Sequence, residues 1–193
     1  MSRTVLTQHT YTFGVFLSLW QQLGGSISGT VRKGLAPIDR KPVISWQSRP
    51  LGELIRLVNK FSNNVMTRQL LLTLAAQSKN IPATVENGRI FINDYLQGHG
   101  IDTASLNLVN GAGLSRDVRV SAHLMADTLL HADSIPFMPE FVSSLSIMGM
   151  DGTAKNRLRR RIKSGHAHIK TGTIDHVSAI AGFVDAISGK RFV

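Results

Sequence analysis

The sequence contains no cysteine in its 193 residues, so a disulfide framework and a thiolate metal site are both excluded. Acidic residues are also scarce, with 12 Asp and Glu against 22 Lys and Arg. This excess of positive charge favours anionic partners such as nucleic acid, anionic lipid, an acidic polymer or a substrate carboxylate. The composition does not choose among these partners, and it is compatible with a reducing or an oxidising compartment.

A signal-peptide pattern is also lacking near the N-terminus. The apolar stretch from Phe13 to Trp20 follows polar residues, and Arg3 is the only Lys or Arg before it. Its apolar side chains recur at i, i+3, i+4 and i+7, the spacing of one buried helix face, and Gly24-Gly25 follows as a stop. The stretch therefore predicts a core helix rather than a targeting segment.

The length and a hydrophobic content of 42 % suit one globular unit with a sizeable core. Apolar periodicity and cap residues predict helices over 51–58, 65–76, 84–97, 121–130 and 140–145. Strand-forming runs are found over 43–46, 106–109, 166–174 and 177–184, and the turn at Ser188-Gly189-Lys190 leads into a further strand. The pattern alone predicts a mixed α and β chain that ends in a hairpin.

Two short motifs carry the clearest chemical signal. Ser62-Asn63-Asn64 lies between two predicted helices, and Lys170-Thr171-Gly172-Thr173 lies in a predicted strand. Either motif alone has little specificity, because small polar residues between helices usually serve only as caps. Their order, separation and local contexts match the Ser-x-Asn and Lys-Thr-Gly elements of the penicillin-recognising serine acyl-transferases.

Flanking segments extend this match over most of the chain. Residues 61–66 read Phe-Ser-Asn-Asn-Val-Met, 110–116 read Asn-Gly-Ala-Gly-Leu-Ser-Arg, 150–153 read Met-Asp-Gly-Thr and 181–184 read Ala-Gly-Phe-Val. With the strand motif they resemble the D-alanyl-D-alanine carboxypeptidase/endopeptidase group known as penicillin-binding protein 4, peptidase family S13. The resemblance assigns 1–47 to an N-terminal helix and connecting segment, and 48–193 to the C-terminal part of a transpeptidase-like domain, truncated at its end.

The resemblance implies a mixed α/β fold of the penicillin-binding-protein and serine β-lactamase type, with an antiparallel sheet packed by helices. It also implies that a serine hydroxyl attacks the carbonyl between two D-alanines and forms an acyl-enzyme, with a lysine one helical turn further on as its base. In that scheme Ser62 relays a proton towards the leaving amine. Asn64 binds the substrate backbone and the basic lysine.

The strand motif has complementary roles in the same scheme. Lys170 holds positive charge near the relay and near the substrate carboxylate, Thr171 donates a hydrogen bond to that carboxylate, and Gly172 leaves room for the substrate. Thr173 gives its backbone N–H to the oxyanion hole. The predicted catalytic residues are thus Ser62, Asn64, Lys170 and Thr173, and the predicted substrate-binding residues are Thr171 and Gly172.

No serine in these 193 residues is followed three positions later by lysine. In the resembled family that nucleophile lies upstream of the Ser-x-Asn motif, so the chain corresponds to the later part of such an enzyme and is expected to be inactive alone. Two interpretations stay open. The chain is part of a periplasmic serine-type carboxypeptidase/endopeptidase, or it is a non-catalytic module that binds peptidoglycan or a partner protein.

The resemblance implies no cofactor, and its implied partners are a peptidoglycan peptide ending in D-Ala-D-Ala and, for the intact enzyme, β-lactams. An incomplete sheet has open edges, which predicts dimerisation by edge pairing. The basic run from Lys155 to Lys163 has no interleaved aromatic residue, so a solvated surface is favoured over a nucleic-acid site. His166 and His168 have no third ligand at a recognisable spacing, so no metal is predicted.

Two further polar pairs are predicted to be structural. Asp127 and His131 are four residues apart on a predicted helix, and they are expected to pair at the surface rather than to join a catalytic triad. Asp151 and Arg157 match positions of the resembled family, and both are assigned to loop structure.

Overall fold

The computed structural model describes residues 7–35, 37–79, 82–157 and 165–193. The chain divides into two compact units, Met1–Gln47 and Ser48–Val193. The first carries helix α1 (Gln8–Gln22), and the second carries helices α2 to α6 and a four-stranded sheet. None of the described helices combines the length and the apolar content needed to cross a membrane.

Helix α1 confirms the helix predicted around 13–20 but not its predicted burial. None of its residues is buried, and the rings of Phe16 and Trp20 stack with their centroids 6.1 Å apart. The physical reason is that the described residues of this unit form no second helix or strand against which the apolar face could pack. The predicted strand over 43–46 is wrong for the same reason, since Val43, Ile44 and Trp46 are exposed and have no described strand beside them.

Helices α2 (Leu51–Phe61) and α3 (Asn64–Lys79) meet at a short junction. Pro50 precedes α2 with a φ of −52°, which suits entry into a helix. Asn63 caps α3, because its side-chain oxygen accepts a hydrogen bond from the Met66 N–H at 3.0 Å. Both predicted helices and the turn between them are confirmed.

Three more helices of the second unit are α4 (Val85–Gly98), α5 (Ala122–Ser134) and α6 (Met138–Ser144). Thr84 and Ser121 cap α4 and α5, since each hydroxyl accepts a hydrogen bond from a backbone N–H of the first turn. The strand predicted over 106–109 is reduced to a single bridge between Asn107 and Arg119. The ladder has no room to continue, because Ser121 caps α5 two residues beyond Arg119, and Gly111 and Gly113 turn the chain on the other side with left-handed backbone.

The sheet is antiparallel with strand order β1-β2-β3-β4. Its strands are Ser146–Ile147, Ala167–Ile174, Val177–Asp185 and Arg191–Phe192. Strands β2 and β3 form the long hairpin predicted near the C-terminus, and they pair from Ala167 opposite Val184 to Ile174 opposite Val177. Gly182 permits this close pairing, because a Cβ at that position would lie 2.1 Å from the His168 carbonyl oxygen.

Apolar side chains pack against both faces of the hairpin. Phe183 is fully buried with residues of α5 and α6, including Leu129 and Val142. Ile169 faces the other way along the strands and is buried with Ala154. Strand β2 is therefore held between two packed layers, and the predicted mixed α/β fold with helices packed on an antiparallel sheet is confirmed.

Candidate active site

The site begins at the C-terminal end of α2, where Ser62 adopts left-handed backbone with φ 53° and ψ 51°. Helices commonly end in this conformation, but glycine is the usual residue there. A non-glycine side chain at such a position costs on the order of 1 kcal/mol or more, so Ser62 stores local backbone strain. The left-handed turn also ends α2 abruptly and lets α3 begin only two residues later.

Ser62 and Lys170 bring the two sequence motifs into direct contact. The Lys170 ammonium donates to Ser62 Oγ at 2.5 Å and to the Thr171 carbonyl oxygen at 2.7 Å. Because an ammonium group only donates, Ser62 Oγ must accept, and its own hydrogen stays available for another acceptor. Burial lowers the pKa of Lys170 from its usual value, since desolvation disfavours the charged form.

Asn64 lies in the first turn of α3 and contacts the loop that follows residue 109. Its side-chain nitrogen donates to the Ala112 carbonyl oxygen at 2.5 Å. The Ala112 N–H in turn donates to the side-chain oxygen of Asn110 at 2.9 Å, which fixes the loop conformation. The Asn64 amide is thereby oriented with its nitrogen towards the loop, and no group of the described residues donates to its oxygen.

Gly111 allows the same loop to pack on α3. It has a φ of 66°, and a Cβ there would lie 2.5 Å from Cδ2 of Leu71. Leu71 itself is buried. The middle motif of the sequence therefore positions the Asn64 side chain by close packing against the helix that carries it.

The strand motif presents its residues on alternate faces of β2. Thr171 lies opposite Ile180, and its hydroxyl oxygen is 2.8 Å from that of Thr153. Gly172 is exposed and its backbone is not left-handed; a Cβ there would be 3.7 Å from the Ala179 Cβ, an ordinary contact. Packing against the described residues therefore does not require a glycine at this position. Thr173 is exposed and pairs with Ser178.

A buried ion pair beside Ser62 was not predicted from the sequence. The Lys60 ammonium is almost fully buried, and it donates to Asp151 Oδ2 at 2.5 Å and to the Leu145 carbonyl oxygen at 3.0 Å. The other Asp151 oxygen accepts from the Ile147 N–H at 2.7 Å. The assignment of Asp151 to loop structure is thus confirmed, and its partner is a residue of α2 that sequence reasoning missed.

Opposing effects of burial, hydrogen bonds and neighbouring charges act on the pKa of Asp151. Partial burial on its own raises that pKa. The hydrogen bonds from Lys60 and from the Ile147 N–H, together with the positive charges of Lys60 and Arg56, lower it by a larger amount. The net result is a pKa below the usual value for an aspartate. Lys60 gave no sequence signal, because a lysine in the last turn of a helix ordinarily complements the helix dipole. The only signal for the pair was the 150–153 segment, which contains Asp151.

The predicted Asp127–His131 pair and the basic run from Lys155 are not part of this cluster. Asp127 pairs with His123 at 3.4 Å, and the nearby His131 ring instead contacts the Tyr95 hydroxyl at 3.0 Å, so the predicted Asp127–His131 pair is wrong. Both histidines are one helical turn from Asp127, and the Tyr95 contact decides between them. Of the basic run from Lys155, residues 158–163 lie outside the described residues.

A model of the D-Ala-D-Ala carboxypeptidase 3 (S13) family matches residues 1–193. The chain belongs to this family. The D-alanyl-D-alanine carboxypeptidase of Actinomadura sp. (strain R39) is 32 % identical over 175 residues, which are 86 % of this chain and 32 % of that protein. The D-alanyl-D-alanine carboxypeptidase DacB of Haemophilus influenzae is 25 % identical over 193 residues, 99 % of this chain and 40 % of that protein.

The S13 fold is matched in three dimensions as well. A crystal structure of penicillin binding protein 4 (dacB) from Haemophilus influenzae, complexed with a novel β-lactam, superposes with a TM-score of 0.83 at 24 % identity. The match covers 99 % of this chain and 45 % of that one. The chain thus spans about a third of the length of the curated relatives it matches, 32 % and 40 % of the two named above.

Proposed function

We propose that this S13 chain forms part of a serine-type D-alanyl-D-alanine carboxypeptidase/endopeptidase, contributing the proton relay and the recognition of the substrate's terminal carboxylate. The observation that carries the proposal is the 2.5 Å contact between the Lys170 ammonium and Ser62 Oγ, which unites the two motifs. The catalytic serine and its lysine would come from outside these 193 residues, since no Ser-x-x-Lys is present.

The proposed reaction is acyl transfer. A serine oxygen attacks the carbonyl carbon between two D-alanines, the C–N bond breaks, and the leaving amine takes a proton through the Ser62 hydroxyl. Lys170 stabilises that hydroxyl and attracts the substrate carboxylate, while Thr171 donates to the carboxylate. The free Asn64 oxygen accepts from the basic lysine or from a substrate N–H, and the Thr173 N–H stabilises the oxyanion. One such oxyanion donor is typically worth about 3 to 4 kcal/mol.

The partners that follow are a peptidoglycan peptide ending in D-Ala-D-Ala and, in the intact enzyme, β-lactams. We propose a periplasmic location for the same reason, because peptidoglycan lies outside the cytoplasmic membrane. Strand β1 pairs with β2 only at His168 and Ile169, so the outer edge of β2 over 170–174 has no described strand beside it and is a candidate for edge pairing between two copies. Sedimentation velocity over a range of protein concentrations tests this dimer, and a monomer at every concentration would contradict it.

Titration of the ¹⁵N-labelled chain with N-acetyl-D-Ala-D-Ala tests the recognition role. We expect shifts of backbone amides at 62–64 and 170–173, because the carboxylate adds a negative charge beside Lys170. The L-Ala-L-Ala isomer is the matched control and should bind more weakly. Equal binding of both isomers, or shifts confined to other residues, would contradict the proposal.

A second candidate function is a binding module without catalysis, with which the absence of Ser-x-x-Lys from these 193 residues is equally compatible. Fluorescent penicillin separates the two. We expect no covalent labelling of this chain alone under either proposal, and labelling only when a segment carrying Ser-x-x-Lys is supplied if the chain is part of an enzyme. Failure to label after a segment from an S13 relative has restored the complete fold would favour the binding module.

A further inference from the structure

Thr153 has no role in the scheme above, although it contacts a residue of the site. It lies on a 3₁₀ turn (Gly152–Ala154) and is exposed. An exposed threonine hydroxyl ordinarily bonds to water or to its own turn. The Thr153 hydroxyl is instead 2.8 Å from the hydroxyl of Thr171, which is 18 residues away on β2.

The turn that carries Thr153 is held in place by contacts with α2 and with Ser146. Asp151, two residues before it, bonds to the buried Lys60 ammonium, and Gly152 has a left-handed φ of 54°. A Cβ at Gly152 would lie 2.8 Å from the Lys60 carbonyl oxygen and 2.3 Å from the Ser146 hydroxyl. The position of Thr153 is therefore set by the same helix end that carries Ser62.

The chemistry of two hydroxyls in contact limits what each can do. Only one hydrogen lies between the two oxygens, so one threonine donates and the other accepts. If Thr171 uses its hydrogen to bind a carboxylate, its oxygen must accept from Thr153. A hydroxyl that accepts one hydrogen bond is polarised and becomes a better donor in the next.

We propose that Thr153 is a positioning residue that donates to Thr171 Oγ and directs the Thr171 hydrogen at the terminal carboxylate of a D-Ala-D-Ala peptide. This inference rests on the proposed function, because it needs that carboxylate to bind beside Thr171. Thr153 itself touches Thr171 and acts on the ligand through it.

The test compares N-acetyl-D-Ala-D-Ala with its C-terminal amide, titrated into the full chain and followed by amide chemical shifts. Thr153→Val removes the hydroxyl and keeps the shape, and we expect the preference for the acid over the amide to fall about 3- to 10-fold. Thr153→Ser should retain the preference within about 2-fold. Thr73→Val is the matched control, since the Thr73 hydroxyl bonds to the Gln69 carbonyl within α3.

A double-mutant cycle with Thr171→Val separates positioning from a general structural effect. We expect Thr153→Val to add no further loss once Thr171 is valine. Additive losses, an unchanged preference in Thr153→Val, or an equal loss in Thr153→Ser would each overturn the inference and leave the proposed function standing. If valine disturbs the turn, Thr153→Ala replaces it against the same serine variant. A wild-type chain that binds neither peptide would overturn the proposed function and this inference together.

Discussion

Lys60 and Lys170 are both lysines near the Ser62 junction, and they differ in counter-charge and in burial. Lys60 is buried against a carboxylate, Asp151, at 2.5 Å. Lys170 donates only to uncharged oxygens in the described part of the chain, and desolvation by burial is what lowers its pKa. A buried charge that is paired with an opposite charge contributes to the stability of the fold. A partly buried positive charge that has no carboxylate partner is suited to bind an anionic ligand.

The largest effect is expected at Lys60. Removing one partner of a fully buried ion pair typically costs about 3 to 5 kcal/mol. The Asp151 side chain is 36 % exposed, so solvent reduces that cost, and Lys60→Met should lower the free energy of unfolding by roughly 2 to 3 kcal/mol. Urea denaturation measures it, with the exposed Lys190→Met as a control expected to change stability by less than about 0.5 kcal/mol. A Lys60 variant as stable as the control would contradict the claim that the Lys60–Asp151 pair stabilises the fold.

Lys170→Met should behave in the opposite way. We expect little change in the free energy of unfolding, because burial already disfavours the Lys170 charge. Affinity for N-acetyl-D-Ala-D-Ala should fall about 10-fold or more, since a hydrogen bond to a charged group contributes about 1.5 to 3 kcal/mol. Peptide titration and urea denaturation of the same sample give both numbers. Strong destabilisation with unchanged affinity would make Lys170 a structural residue like Lys60.

Ser62→Gly is expected to have a smaller effect on stability. Glycine relieves the left-handed backbone strain, but its greater freedom in the unfolded chain offsets part of that gain, so the net increase should not exceed about 1 kcal/mol. Peptide binding should weaken, because Oγ no longer holds the Lys170 ammonium. Ser62→Ala is the matched control that keeps the strain and loses only the hydroxyl. A clear loss of stability in both Ser62→Gly and Ser62→Ala would show that the hydroxyl is needed for folding.

The pH dependence of the Lys60–Asp151 pair gives the most gradual test. The pKa of Asp151 is lowered in the folded chain, so its contribution to stability is fully present above the unfolded value of about 4 and is lost as the pH falls through the folded value. The stability difference between wild type and Asp151→Asn should therefore shrink in acid. Urea denaturation at neutral pH and at about pH 3 measures it, and a constant difference would contradict the lowered pKa.

The sequence allowed the helices around Ser62 and the β2–β3 hairpin to be predicted because their signals are local. Apolar spacing, the caps at Asn63 and Ser121 and the short turn before Val177 each act within a few residues. The Lys60–Asp151 pair joins residues 91 positions apart, so no local pattern reveals it. Strand β1 has only two residues and forms only by pairing with β2, and the apolar face of α1 predicted burial that its own unit does not supply.

We propose that the Lys170 ammonium binds the carboxylate of a ligand, whereas the Lys60 ammonium is paired with the carboxylate of Asp151. The direct measurement is the pKa of Lys170, followed by ¹³C chemical shifts at Cε with and without N-acetyl-D-Ala-D-Ala. We expect a pKa below that of exposed lysines in the free chain, and a rise in the Lys170 pKa when the acid binds but not when the C-terminal amide is added. A Lys170 pKa that is unchanged by the acid at saturating peptide would contradict the claim.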